Sequence, residues 1–153
     1  MAGRETVLIL NDDVALNECL RYVLKWNYEI IIACDEEEAL AILNRREIDL
    51  VMLDLNLPGL SGIAVMKAIK RLKPDTEVIM VSGDGCLADA REAIRCGAEY
   101  FISKPLCIPD LIITVSKCLE KKRRNRNISN FIHKIKTLRS SVDTDEENRI
   151  CPS

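Results

Sequence analysis

The chain has 153 residues, 48% hydrophobic and 30% charged, with a formal net charge of -2. That is room for one domain with a full core and an appendage, in the composition of an ordinary globular protein rather than a disordered chain. No apolar run approaches the ~20 residues that span a bilayer, and Met1-Ala2-Gly3-Arg4-Glu5 passes into a short apolar strand without the long apolar region of a signal peptide, so the sequence points to the cytoplasm and against membrane insertion.

In chain order, Val7-Leu8-Ile9-Leu10 reads as a short buried strand that ends in Asn11-Asp12-Asp13, with Asp13 placed to cap the next segment. Over residues 14–26, Leu16, Cys19, Leu20, Val23 and Leu24 recur at helical spacing. Glu29-Ile30-Ile31-Ile32-Ala33 is a second strand, and Asp35-Glu36-Glu37-Glu38 puts acid where a helix dipole favours it, ahead of Ala39, Leu40, Ile42 and Leu43. Residues 50–53 form an unbroken apolar run, the mark of a strand buried on both faces, and the run ends abruptly on Asp54. Pro58-Gly59 marks a turn. A third helix follows over residues 61–72, with Ile63, Met66, Ala68, Ile69 and Leu72 expected in the core and Pro74 beyond its end. Glu77-Val78-Ile79-Met80-Val81 ends on Ser82-Gly83, a fourth helix spans 87–96 up to Gly97, and Glu99-Tyr100-Phe101-Ile102 ends on Ser103-Lys104-Pro105. A fifth helix starts near Pro109 and buries Leu111, Ile112, Val115, Cys118 and Leu119.

Five strands alternating with five helices predict an α/β fold: a doubly wound, five-stranded parallel sheet with helices on both faces, flavodoxin-like, followed by a C-terminal helical extension. No Gly-x-Gly-x-x-Gly or Gly-x-x-x-x-Gly-Lys follows a strand, which argues against a nucleotide site. The seven cysteines include no Cys-x-x-Cys pair and read as small buried hydrophobes in a reducing compartment. The only histidine, His133, lies in the tail, so neither a Ser-His-Asp triad nor a His-bearing zinc site is expected in the globular part.

In a parallel sheet all the strand ends lie on one edge, where open α/β sheets place ligand chemistry. Here that edge gathers Asn11 and Asp12, Asp54, Ser82 and Lys104. Two neighbouring carboxylates repel unless a cation joins them, and hard oxygen ligands with water suit Mg²⁺ better than zinc. With Asp54 as nucleophile and Lys104 and Ser82 to hold phosphoryl oxygens, the set provides the positioning and charge neutralisation that phosphoryl transfer needs. Phosphate-releasing hydrolases on similar sheets also use an Asp nucleophile, but with a second acid two residues on, where this chain has Asn56.

Asn11-Asp12-Asp13, Asp54 with Pro58-Gly59 and Gly62, Val81-Ser82-Gly83, Gly97-Ala98 and Lys104-Pro105 appear in an order and spacing that closely resembles the receiver domain of two-component response regulators, over residues 5–120. The resemblance implies a phosphorylation-controlled switch that is a phosphoacceptor rather than an enzyme. In it Asp54 takes a phosphoryl group from a sensor histidine kinase or a histidine phosphotransfer protein. It implies Mg²⁺ held by Asp12, Asp54 and the backbone carbonyl of Asn56, with Asn11 acting through water. Ser82 and Lys104 would contact the phosphoryl group, and Lys104-Pro105 would be cis. The sequence departs from the family in Asn11, which stands where most receivers carry an acid and predicts weaker Mg²⁺ binding. Phe101, without a hydroxyl, fills the aromatic switch position, and Ser82 replaces the commoner Thr. A register with Asp12-Asp13 as the acidic pair would put Asn11 inside the strand and is disfavoured. Two readings of the output stand side by side: a switch acting on a partner protein, or the regulatory fragment of a longer response regulator with an enzymatic or DNA-binding output domain.

Residues 121–153 form the extension. Residues 120–153 carry nine Lys/Arg and five Asp/Glu, net +4, against -6 for residues 1–119. The run Lys121-Lys122-Arg123-Arg124-Asn125-Arg126 lacks interleaved aromatics, zinc ligands or a helix-turn-helix, so it reads as a solvated helix face or linker rather than a nucleic-acid site. Ile128, Phe131, Ile135, Leu138 and Val142 recur by three and four, as in a coiled-coil seam. They are out of phase with Leu111, Val115 and Cys118, which predicts a register break in the basic run. Either the tail and the fourth and fifth helices form a homodimer, or the apolar residues fold back onto the receiver's own surface. Residues 140–153 read as a polar terminus.

Overall fold

The computed structural model describes residues 3–55, 57, 61–83 and 87–150. Asn56, Pro58-Gly59 and Cys86 lie outside them. The chain divides into two units, Met1–Leu119 and Glu120–Ser153.

The first unit alternates β1 (Thr6–Leu10), α1 (Val14–Leu24), β2 (Glu29–Ala33), α2 (Glu36–Arg45), β3 (Leu50–Asp54), α3 (Gly62–Leu72), β4 (Glu77–Ser82), α4 (Leu87–Arg95) and β5 (Tyr100–Ser103), then enters α5 (Ile108–Ile150). All strand pairs are parallel, in the order β2-β1-β3-β4-β5. Successive strand residues point to opposite faces, and both faces are covered. Leu8, Leu10, Val51, Leu53, Val78 and Met80 pack with α2, α3 and α4. Val7, Ile9, Leu50, Met52, Ile79 and Val81 pack with Leu20 and Leu24 of α1 and Leu111, Val115, Cys118 and Leu119 of α5. Double coverage explains why β1 and β3 read as continuous apolar runs: every residue of both is buried.

The helix starts are set locally. Asp13 accepts from the Leu16 N–H at 3.1 Å and Asp35 from the Glu38 N–H at 2.8 Å, while Ser61 caps α3 through the Ala64 N–H at 3.4 Å. After α4, Gly97 takes φ 115, a conformation that favours glycine, as the chain turns back and the Ala98 N–H bonds the Ala93 carbonyl at 3.0 Å. Among the described side chains of α4 only Ala93 is buried, and Ile94 is exposed.

Three expectations need correction. Of the five described cysteines only Cys118 is buried; Cys19, Cys34 and Cys107 are exposed and Cys96 is half-buried. Cys19 fits the spacing of α1's apolar stripe, yet the buried positions are Asn17, Leu20 and Leu24. In α3 the core residues are Val65, Met66 and Ile69, with Leu72 exposed. The face is rotated because Gly62 and Val65, not Ala68 and Leu72, meet the sheet.

No helix among the described residues is long and apolar enough to cross a membrane. The backbone of residues 120–150 is helical, including the basic run where a register break was expected. The two apolar patterns need not share a phase: Leu111, Val115 and Cys118 are buried, whereas Ile128, Phe131, Ile132, Ile135 and Leu138 are 45 to 65% exposed.

Candidate functional site

The strand order reverses between β1 and β3, and in open α/β sheets the crevice beyond the carboxyl ends at such a point is where ligands bind. Leu10 pairs with Leu53, so the next residues, Asn11 and Asp54, stand side by side at that edge. Ser82 pairs with Ser103, which brings Lys104 next to them.

Asp54 is the last residue of β3 and is 5% exposed. A buried carboxylate is costly unless a cation and hydrogen bonds satisfy it. Lys104 meets that demand across 50 residues of sequence: its Nζ donates to Asp54 Oδ2 at 2.9 Å, with the lysine side chain 28% exposed. The ammonium therefore joins a buried oxygen to solvent. Lys104 is itself fixed by its backbone N–H, which donates to the Ser82 carbonyl at 2.7 Å, and the Lys104–Pro105 peptide is cis, as the resemblance implies. Ser82 is fully buried at the end of β4. Asp54 also lines, with Asn11, Leu16, Met52 and Leu106 among others, a depression of about 220 Å³ counting the solvent at its mouth.

The β1–α1 loop presents its polar residues differently. Asn11 is buried, and its Oδ1 accepts from the Asp13 N–H at 3.3 Å, closing a small turn. Asp12 is exposed beyond it. Asp13 caps α1, as its place in the sequence suggested. Asn17, missed in the sequence, holds this loop from below: its Nδ2 donates to the Asn11 carbonyl at 2.8 Å, and its buried Oδ1 has no partner. The signal was its spacing: Asn17 stands three residues before Leu20 and seven before Leu24, on the stripe of α1 that is buried. Asn56 lies outside the described residues.

The oxygen donors fit a hard divalent cation in kind: Asp12 and Asp54 offer carboxylates and nothing soft. They are two acids rather than three, since Asn11 is neutral, and among the described residues no group of three His, Cys, Asp or Glu side chains comes together.

A doubly wound sheet with a buried Asp ending β3 and a Lys bound to it from the end of β5 is the arrangement the resemblance to receivers implies. The chain belongs to the response regulator receiver domain family, whose model matches residues 7–116. It is 31% identical over 131 residues to the regulatory protein LuxO of Vibrio cholerae, covering 80% of this chain and 29% of that protein. Among solved structures, a CheY-like receiver domain protein of Methanospirillum hungatei superposes with a TM-score of 0.77 at 27% identity, over 80% of this chain and 99% of that one. NtrX from Brucella abortus gives 0.79 at 34% identity, over 84% of this chain and 30% of that one. The chain thus spans under a third of the curated relative LuxO.

Proposed function

We propose that Asp54 is the phosphoacceptor of this receiver, and that the observation carrying the assignment is the 2.9 Å bond from Lys104 to a carboxylate buried at the sheet's switch point. An Asp54 oxygen attacks the phosphorus of a phosphohistidine on a sensor histidine kinase or a histidine phosphotransfer protein. The new O–P bond forms as the P–N bond breaks, and the imidazole leaves with the electron pair. Lys104 balances the charge on the carboxylate before transfer and contacts a phosphoryl oxygen after it; the Ser82 hydroxyl donates to another. Mg²⁺, when bound, neutralises charge between the carboxylates and the incoming group. Asp12, Asp54 and the backbone carbonyl of Asn56 would hold it, and Asn11 would act more weakly through water. The chain assists its own phosphorylation and dephosphorylation in the cytoplasm and is not an enzyme acting on a separate substrate.

Intact-mass measurement after incubation with acetyl phosphate and Mg²⁺ tests this. One added phosphoryl group is expected, and none on Asp54→Asn. Equal labelling of that variant would remove Asp54 from the role.

A second reading makes the chain the regulatory segment of a longer response regulator; its support is the 29% share of LuxO that the match covers. An open reading frame that stops after Ser153 would dispose of it.

A further inference from the structure

The buried side chains of α1 are Asn17, Leu20 and Leu24, and Asn17 is the polar one among them, 3% exposed. An asparagine is a poor helix former and a costly side chain to bury. Its amide is only half satisfied here. Nδ2 donates to the Asn11 carbonyl at 2.8 Å, whereas Oδ1 is buried and meets no donor among the described residues. Acceptors left in that state are rare in folded proteins, and packing alone does not account for them.

What Asn17 holds is Asn11, which is fixed from three sides. Its N–H donates to the Ala33 carbonyl at 3.4 Å, its Oδ1 accepts from the Asp13 N–H at 3.3 Å, and its carbonyl takes the Asn17 amide. The oxygen that Asn17 grips belongs to the peptide leading into Asp12, and a peptide is planar, so holding the oxygen holds the plane. Asp12 itself is exposed, and its carboxylate has no bond to any described residue. Its position therefore comes from the backbone on either side, with Asp13 fixed beyond it as the cap of α1.

We propose that Asn17 is a positioning residue for Mg²⁺: by gripping the Asn11–Asp12 peptide it fixes where the Asp12 carboxylate stands. The inference rests on the proposed binding of Mg²⁺ by Asp12 and Asp54. Because Asn11 is neutral, these are the two acids offered to the cation, and misplacing one of them weakens the attraction strongly. Groups that orient a metal ligand from behind alter affinity by about 10–100-fold when removed.

Asn17→Leu separates this role from packing. Leucine has the same number and branching of heavy atoms. It strands the Asn11 carbonyl but removes the stranded Oδ1, so one unbonded acceptor replaces another while apolar area is buried. On the full chain the urea midpoint should hold or rise, while Mg²⁺ binding measured by calorimetry weakens about tenfold. With acetyl phosphate, the Mg²⁺ concentration for half-maximal labelling should rise to match, and the rate at saturating Mg²⁺ should stay within about twofold. In an Asp12→Ala background Asn17→Leu should not move that half-maximal concentration further, because its effect passes through Asp12. Asn17→Ala, which removes the amide without adding bulk, should lose the same affinity and covers a leucine that does not fit. A folded variant that binds Mg²⁺ as wild type does overturns the proposal, even if its urea midpoint has fallen, and so does a wild type that binds no Mg²⁺. An effect of Asn17→Leu that persists in full without Asp12 overturns the route through Asp12. The role of Asp54 is decided separately, by whether Asp54→Asn is labelled.

Discussion

Gly62 is the position where the frame around Asp54 has least room. A β-carbon there would stand 2.6 Å from Leu55 Cα, 2.8 Å from its oxygen and 3.0 Å from its carbonyl carbon. Non-bonded carbons settle at about 3.5–4.0 Å, so Gly62→Ala forces a relative shift of about 1 Å. The obstructing atoms are backbone and cannot rotate away. Leu55 is held in place by its N–H on the Val81 carbonyl at 2.8 Å, and its own carbonyl receives the Gly62 N–H at 3.2 Å. Overpacking of this kind costs about 1–3 kcal/mol. Gly→Ala at an unhindered helical position returns about 0.4–1 kcal/mol through the unfolded chain. The net expectation is a loss of about 1–2 kcal/mol, read as a lower urea midpoint at unchanged slope. Because Leu55 adjoins Asp54, phosphoryl uptake should slow as well. Gly3→Ala, where nothing lies within 4 Å, is the control and should cost nothing. A Gly62→Ala variant as stable as wild type, or more so, would show that the α3 start is not confined by Leu55.

Asp12→Ala should weaken Mg²⁺ binding measured by calorimetry far more than any other change in the β1–α1 loop, whereas Asn11→Asp should tighten it by on the order of tenfold through the added charge; equal binding by Asp12→Ala and wild type would move the acidic pair elsewhere. The Glu29 carboxyl is held below the usual carboxylate range, chiefly by the hydrogen bond from Arg46, against opposing desolvation, with the Arg46 charge and Thr6 adding to it. A depressed folded pKa contributes stability above the unfolded value that is lost as pH falls through the folded one. Wild type and Arg46→Ala should therefore converge in stability as pH drops below about 4, and a gap that widens on acidification would contradict the pairing. Thr76→Val, which strands the Ile48 carbonyl now bonded at 3.0 Å in a buried site, should cost about 1–2 kcal/mol in urea while leaving phosphoryl uptake unchanged.

The parallel sheet was legible because its strands are buried on both faces, and runs such as residues 50–53 have no polar residue to obscure them. The edge was legible for the opposite reason: Asp54, Ser82 and Lys104 interrupt apolar strands where the chain leaves the core. Helix phase was harder to read. In α3 apolar residues occur nearly all the way round, so spacing alone allowed Leu72 inward, and only the sheet's position selects Val65 and Met66. Cysteine gives no phase at all, being small enough to lie on either side, and Cys19 and Cys34 proved exposed. Asn17 escaped because its polarity argues for solvent, and only contact with the Asn11 carbonyl accounts for its burial.

The shallow seat of α4 has a consequence for motion. Elements differ in the free energy needed to open them, and those with few buried apolar contacts open first. Among the described side chains of α4 only Ala93 is buried, whereas α3 buries Val65, Met66 and Ile69. Helix α4 lies in sequence between Ser82 and Lys104, which are themselves joined by the 2.7 Å backbone bond. Amide exchange should be fastest there among the helices of the first unit. A small displacement of either residue would then bear directly on a helix whose described side chains, Ala93 apart, lie outside the core.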